Sequence, residues 1–212
     1  MKENLKSFKC DQVIFTNNSP DTIWERILQN LSLCQKLEVL KLRDATCISN
    51  FTLKKISNLP NLKRLTLLRL GSYASELAPL FQKMNLEKLK FIQIEGSLVL
   101  SNEAVHCLSN RKPPNLEYIW FQNCPNLKLQ ESTLKNLKNC PKLKCVGFDG
   151  SNLDGISTDL LREINEHIRI RIYHMANWIK LNKKLKIDQC KEEISKVIEE
   201  YGFVGIPIPD AI

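Results

Sequence analysis

The stretch NLEYIWFQNC, residues 115–124, carries the pattern from which the fold of this chain can be predicted. Its apolar residues Leu116, Ile119 and Phe121 occupy positions 1, 4 and 6 of a unit written LxxLxL. Positions 4 and 6 have the spacing of a short strand, in which alternate side chains point to the same face. The residues at positions 3, 5 and 7 are then expected on the opposite face.

The same unit returns along most of the chain. We place the unit starts near Cys10, Leu37, Leu62, Leu89, Leu116 and Leu143, at intervals of 27, 25, 27, 27 and 27 residues. Such a period is typical of solenoid proteins, because one unit cannot bury its apolar side alone and stacked units share a continuous core. The sequence therefore predicts a parallel sheet on one side and helices on the other.

The chain resembles the leucine-rich repeat proteins, and among them the cysteine-containing subfamily that is common in F-box proteins. In that subfamily a Cys or Asn often ends the strand, as Cys124 does here, and a Cys often precedes the next Leu by three residues, as Cys34 and Cys140 do. The resemblance covers about residues 8–172. It implies an α/β leucine-rich-repeat solenoid, with a curved parallel sheet, helices on its convex face and a protein partner on its concave face.

The predicted organisation is a solenoid over residues 1–172, followed by a helical cap and tail over residues 173–212. Residues 1–9 are expected to shield the open end of the first unit. Residues 168–173 alternate between apolar and polar and predict a final strand. Beyond it, Trp178 lies in a predicted short helix and Asp188 is placed at the start of a last helix.

The first helix is predicted to begin at Pro20, with an apolar stripe formed by Ile23, Ile27, Leu28 and Leu31. This segment also resembles the opening helix of an F-box, the module that docks a substrate receptor onto a ligase adaptor. The chain then runs directly into the strand LEVLKL, without the second half of that module. An ordinary repeat helix and a degenerate F-box are therefore both open.

Five further helices are predicted from apolar residues at helical spacing. Their apolar positions are Phe51, Leu53, Ile56 and Leu59; Leu77, Leu80 and Phe81; Ala104, Val105 and Leu108; Leu134 and Leu137; and Leu160, Leu161 and Ile164.

Composition narrows the class of protein. The chain has 212 residues, a net charge of +8 and no run of eighteen apolar residues that would predict a membrane span. Its first residues lack the apolar region of a signal peptide, and its eight cysteines include no CxxC pair. We expect a monomer with reduced core thiols in the cytoplasm or nucleus. A secreted form remains open if a signal peptide was removed before residue 1.

The sequence offers little support for catalysis, for a metal or for a cofactor, so we expect a protein that is not an enzyme. Of the three histidines, His106 is adjacent to Cys107 on a predicted helix, where their side chains diverge and cannot easily pair as base and nucleophile. No Cys and His spacing matches a zinc site, and no glycine-rich phosphate loop is present.

The candidate partner-binding site lies on the outward positions of the strands, which define the concave face. Phe91, Tyr118 and Trp120 are expected to be neighbours beside basic residues, a composition typical of binding hot spots. The predicted site residues are Lys41, Arg43, Arg64, Phe91, Gln93, Tyr118, Trp120 and Gln122. The alternative is that the C-terminal helices or the tail fold across this face and bury it.

The functional hypothesis is a protein-interaction module. It could recognise substrates for an SCF-type ubiquitin ligase, with ligase subunits among its partners. A second hypothesis is an RNA- or anionic-lipid-associated protein that uses the basic segment 169–186. A third is a secreted effector that mimics an F-box receptor with leucine-rich repeats.

Overall fold

The structure, a computed structural model, describes residues 4–11, 20–45, 48–70, 76–149 and 155–173. The chain divides into two units, Met1–His174 and Met175–Ile212, and all described residues belong to the first. No helix within the described ranges is long and apolar enough to cross a membrane.

In the described part of the chain, seven strands form one parallel sheet, in which each strand pairs with the next one in the sequence. The strands are β1 Ser7–Asp11, β2 Val39–Arg43, β3 Arg64–Leu68, β4 Phe91–Glu95, β5 Tyr118–Gln122, β6 Cys145–Asp149 and β7 Arg169–Tyr173. Ile92 pairs with Ile119 and Ile119 with Val146, so one position of successive units lies side by side on neighbouring strands. The predicted parallel sheet is therefore confirmed, together with the frame of the second to sixth units.

A helical segment connects each strand to the next. The helices are α1 Pro20–Ser32, α2 Asn50–Leu53 with a 3-10 extension Lys54–Asn58, α3 Ala78–Lys83, α4 Asn102–Asn110, α5 Glu131–Lys138 and α6 Thr158–Asn165. Ser49, Ser101 and Ser157 accept hydrogen bonds from the backbone N–H three residues later, at 3.2, 3.3 and 3.2 Å. These serines cap α2, α4 and α6, because the first N–H groups of a helix lack partners within it.

The core is built from positions 1, 4 and 6 of the units. In the units that begin at Leu37, Leu62, Leu89, Leu116 and Leu143, these side chains are at most 5% exposed. Burying one such side chain is worth about 1.5–3 kcal/mol relative to leaving it in water. The apolar residues of α3 to α6 complete the same core, since all those predicted from helical spacing are buried.

The residue after each of four central strands turns the chain with a left-handed backbone. The φ angle is 56° at Asp44, 52° at Arg69, 60° at Gly96 and 50° at Asn123. The N–H groups of the first three donate to the carbonyl oxygen of the last residue in the next strand, at distances of 2.6–3.0 Å. This repeated corner sends each unit from the sheet into its helix in the same direction.

The predicted frame of the first unit is wrong by five residues. Phe8 pairs with Leu40 and Cys10 with Leu42, so the first unit begins at Leu5 instead of Cys10. Residues 7–9 are therefore part of β1 and do not form a separate shield. The prediction assumed an almost constant period, whereas this unit spans 32 residues up to Leu37 and contains the 13-residue helix α1.

Helix α1 begins at Pro20 as predicted, but its buried stripe differs from the expected one. Trp24, Leu28 and Leu31 are 0%, 1% and 5% exposed, whereas Ile23 and Ile27 are only half-buried. Residues 24, 28 and 31 follow the i, i+4, i+7 pattern of a helix face, and the indole offers the largest apolar area on the helix. The segment occupies the place of a repeat helix between β1 and β2.

The predicted core thiols Cys34, Cys124 and Cys140 are buried, at 3%, 0% and 3% exposure. The sulfur of Cys124 donates a hydrogen bond to the carbonyl oxygen of Gln122 at 3.3 Å. Burial raises the pKa of both Cys124 and Cys140 to about 11. Both thiols are therefore protonated at neutral pH and behave as small apolar groups.

We expect stability to fall in alkaline solution, in part because of Cys124. An unfolded thiol releases its proton near 9.0, whereas the folded one retains it up to about 11. Between these values the unfolded state binds fewer protons, so the contribution present below pH ~9 is lost as pH rises through ~11. From pH ~8 to pH ~10, Cys124→Ala should lose roughly 1 kcal/mol less unfolding free energy than the wild type in urea titrations. An identical pH dependence of the two proteins would contradict this prediction.

The end of the solenoid is only partly described. The predicted last strand is confirmed as β7, where Ile170 pairs with Val146 and Ile172 with Phe148. It belongs to a seventh unit that begins at His167, so the sixth unit spans only 24 residues from Leu143. The predicted cap helices and the tail lie outside the described residues, so that part of the domain organisation stays a prediction.

Candidate partner-binding face

The concave face is the side of the sheet that carries positions 3, 5 and 7 of the units. The eight predicted site residues all lie on β2 to β5. Position 3 holds Arg64, Phe91 and Tyr118; position 5 holds Lys41, Gln93 and Trp120; and position 7 holds Arg43 and Gln122. Phe91 pairs with Tyr118 and Gln93 with Trp120, so the structure brings the aromatic residues together as expected.

The centre of this face is aromatic and more deeply buried than an open sheet surface. Phe91 is only 2% exposed, and the guanidinium carbon of Arg64 lies 4.8 Å from the centroid of its ring. An arginine over an aromatic face at this distance is stabilised by the ring quadrupole. Tyr118 is half-buried, with the ammonium of Lys144 at 5.8 Å from its ring centroid.

Trp120 lies against the backbone of the neighbouring strand at Gly147. A Cβ atom added to Gly147 would be 2.6 Å from Cζ3 and 2.7 Å from Cδ2 of the indole, closer than real contacts allow. The absence of a side chain at Gly147 therefore makes room for the ring, and Trp120 is 8% exposed. A sequence pattern predicts which face Trp120 occupies, but not that it packs on a glycine one strand away.

Charged residues border the aromatic centre towards the start of the sheet. The ammonium of Lys41 is 3.6 Å from a carboxylate oxygen of Asp11. At the corner after β2, Arg69 donates two hydrogen bonds to the carboxylate of Asp44, both at 2.5 Å, and Arg43 lies 4.0 Å from the same carboxylate. The hydrogen bonds from Arg69 hold the pKa of Asp44 below its usual value. The predicted list omitted Asp11 because it used the wrong frame for the first unit.

Two further residues of the concave face, Thr66 and Leu68, were not among the predicted site residues. They are 4% and 8% exposed and lie at positions 5 and 7 of β3, beside the predicted residues. Lys41, Arg43, Arg64, Gln93, Tyr118 and Gln122 are half-buried. The face therefore consists of a buried apolar centre with partly accessible polar and charged groups around it. The alternative in which the C-terminal segment covers this face concerns residues outside the described ranges.

His106 and Cys107 on α4 do not form a base and nucleophile pair. The His106 ring lies 3.2 Å from the amide nitrogen of Asn110. The Cys107 thiol donates to Glu103 at 3.4 Å and accepts from Gln82 at 3.5 Å. Desolvation raises the pKa of Cys107, which keeps it in the less nucleophilic thiol form. Within the described ranges, no group of three or more His, Cys, Asp or Glu side chains could hold a metal ion.

Comparison with known proteins supports the fold of the chain. No protein-family model matches the chain, and no curated protein matches it. Among solved structures, it is similar to a chain of the crystal structure of the Rad7 and Elc1 complex in yeast, with a TM-score of 0.53 and 16% identity. The match covers 68% of this chain and 37% of that chain. With its seven parallel strands and alternating helices, the described part of the chain has the fold of a leucine-rich-repeat-like α/β solenoid.

Proposed function

We propose that this chain is a non-enzymatic protein-interaction module that binds a protein partner on its concave face. The observation that carries the proposal is a cluster on neighbouring strands, in which Phe91 pairs with Arg64 on one side and with Tyr118 on the other. Trp120 lies on the same strand and the same face as Tyr118. Aromatic residues and arginine contribute most of the energy in typical protein interfaces, especially where polar groups surround a desolvated centre. The rigid backbone of the sheet fixes these groups in advance, which lowers the entropy lost on binding.

The finer part of the proposal is substrate recognition for an SCF-type ubiquitin ligase. It is supported by the resemblance of Cys34, Cys124 and Cys140 to the cysteine positions of F-box-associated repeats. The structural neighbour comes from a complex of two proteins, which agrees with a role in assembly. We propose that the protein acts as a monomer in the cytoplasm or nucleus, with ligase subunits among its partners.

Tyr118→Ala is expected to weaken binding of a concave-face partner by about tenfold, as for a moderate interface hot spot. Tyr118 is the half-buried member of the aromatic centre, so its removal disturbs the core less than removal of Phe91 or Trp120. The measurement is quantitative recovery of proteins from a cell lysate on the immobilised full chain. Partners recovered on the wild type are then titrated against each variant.

The matched control for this experiment is Phe51→Ala. Phe51 is an aromatic residue of α2, on the helical side of the solenoid, and is 58% exposed. A partner of the concave face should lose affinity for Tyr118→Ala and keep it for Phe51→Ala. Equal recovery on all three proteins, with unchanged circular dichroism, would count against this face. Selective recovery of RNA-binding complexes that nuclease removes would favour the basic segment 169–186 instead.

A further inference from the structure

A regular row of asparagines and lysines crosses the edge of the sheet at which the strands begin. It consists of the residues that directly precede position 1 in the first six units, counted from Leu5. These residues alternate strictly and are Asn4, Lys36, Asn61, Lys88, Asn115 and Lys142. We call them the Asn–Lys row.

Each lysine of the row is held by the asparagine of the preceding unit. Its ammonium donates to the side-chain oxygen of that asparagine, at 2.8 Å for Lys36, 2.5 Å for Lys88 and 2.6 Å for Lys142. The amides of Asn61 and Asn115 also donate backwards to the backbone carbonyls at residues 35 and 87, at 2.5 and 2.6 Å. Each of these two asparagines therefore links the units on both sides of it.

The partners in this row leave its positive charge in place. An amide oxygen orients an ammonium group without neutralising it, and all three lysines are exposed. They lie two strands apart, so successive charges are separated by roughly 10 Å. Each follows the end of its helix by four or five residues. The field of a helix dipole falls off within the last turn, so it gives no reason for cations at these positions.

The residues at position 2 form a neighbouring row, in which lysines lie beside carboxylates. There Lys63 lies 2.9 Å from Glu38, and Lys90 and Lys144 lie 3.9 and 2.6 Å from Glu117. The hydrogen bond from Lys63 lowers the pKa of Glu38, and the charges of Lys63, Lys6 and Lys88 lower it further. Those lysines form ion pairs with carboxylates, whereas the lysines of the Asn–Lys row donate their hydrogen bonds to neutral amide oxygens.

We propose that the Asn–Lys row binds an extended acidic segment of a protein partner. The row lies three residues before position 3, as Asn61 before Arg64 and Lys88 before Phe91, so it borders the concave face at the edge where the strands begin. A partner bound to the concave face can extend along this edge of the sheet, and in this respect the inference rests on the proposed function. An acidic peptide fits better than nucleic acid, because the row contains no aromatic side chain on which bases could stack.

The test is the affinity of the full chain for a fluorescent peptide of roughly ten glutamates, which is long enough to follow the row. Lys36, Lys88 and Lys142 are replaced together by glutamine, which can still donate to the asparagines. The control replaces Lys54, Lys83 and Lys135, exposed lysines of the helical side, by glutamine. Both variants lower the net charge from +8 to +5, so they are matched in overall charge and differ in where the charge is lost.

At low salt, the row variant should bind the peptide about tenfold more weakly than the wild type, whereas the control should lose at most about twofold. Equal losses in the two variants, or no binding by the wild type, would overturn the proposal. So would tighter binding of oligouridine or of phosphatidylserine vesicles that is lost in the row variant alone. The peptide has no aromatic side chain for the concave face, so its loss in the row variant is a result separate from the loss of partners in Tyr118→Ala. Failure of this inference is therefore distinguishable from failure of the concave-face proposal.

Discussion

Phe121→Ala is expected to lower the free energy of unfolding by about 3–5 kcal/mol, because it removes a large side chain from a close-packed core. Phe121 is 0% exposed and pairs with Ile94 on one side and Phe148 on the other. Its ring centroid is 6.1 Å from that of Phe148, with the planes tilted by 42°. For a chain of this size, the midpoint of thermal unfolding should fall by roughly 6–20 °C. Urea titration and calorimetry measure both quantities.

Phe51→Ala provides the matched comparison, since it makes the same chemical change at a residue that is 58% exposed. The ammonium of Lys55 lies 4.7 Å from the centroid of its ring. We expect a loss of no more than about 1 kcal/mol, because an exposed cation–π pair contributes little. Similar losses for the two phenylalanines would contradict the burial of position 6.

Gly147→Ala is expected to cost about 1–3 kcal/mol and to displace the indole of Trp120. The new methyl group would overlap the six-membered part of the indole, at 2.6–2.7 Å from Cζ3 and Cδ2. The ring must then move away from the backbone of β6, and the tryptophan fluorescence spectrum should shift. If the proposed function holds, partner affinity falls as well, although no residue at the partner contact has been replaced.

Two comparisons isolate the contact between the methyl group and the ring. At Gly155 the φ angle is 87° and no atom lies within 4 Å of an added Cβ. Gly155→Ala therefore introduces backbone strain without overlap, and fluorescence should remain unchanged. In a Trp120→Ala background, Gly147→Ala should lose most of its cost, since the two changes interact directly. A cost that is independent of Trp120 would refute the contact.

The central units could be predicted because burial imposes its pattern directly on the sequence. Leu62, Leu65 and Leu67 face the core at the same positions as Leu116, Ile119 and Phe121, and only apolar residues satisfy all of them. The start of the first unit could not be predicted in this way, because the length of that unit is determined by α1. Leu5, Phe8 and Cys10 have the right spacing, but a constant period favours Cys10 as the start.

For the concave face, the sequence predicts which residues share a row but not how deeply each side chain is buried. Alternation along a strand assigns Phe91 and Trp120 to the correct face of the sheet. It does not show that Arg64 covers Phe91, or that Trp120 lies across Gly147, because these contacts depend on how side chains lean between strands. Trp24 was missed for a related reason: the helical stripe was centred on the isoleucines, although the larger ring turns inward.

The Asn–Lys row was visible in the sequence once the correct frame is known. Its six members recur one residue before position 1, yet polar residues at such places are usually treated as solvated loop. Only the structure shows that each lysine binds the asparagine of the preceding unit. The signal that could have revealed it is the strict alternation of two residue types at one position of a repeat.

The three units that begin at Leu62, Leu89 and Leu116 are each 27 residues long. During folding, this equal length makes pairing between the wrong strands geometrically possible.

 A strand that slips by one whole unit still presents apolar residues to the core, so burial alone does not reject the error. We expect the unequal lengths of the end units, and the space that Gly147 leaves for the Trp120 ring, to disfavour such a slip. If β5 paired with β7 instead of β6, the ring would face Arg171 in place of Gly147, and Arg171 has a side chain. Gly147, which makes room for Trp120 on the concave face, is therefore also expected to favour correct pairing of β5 with β6 during folding.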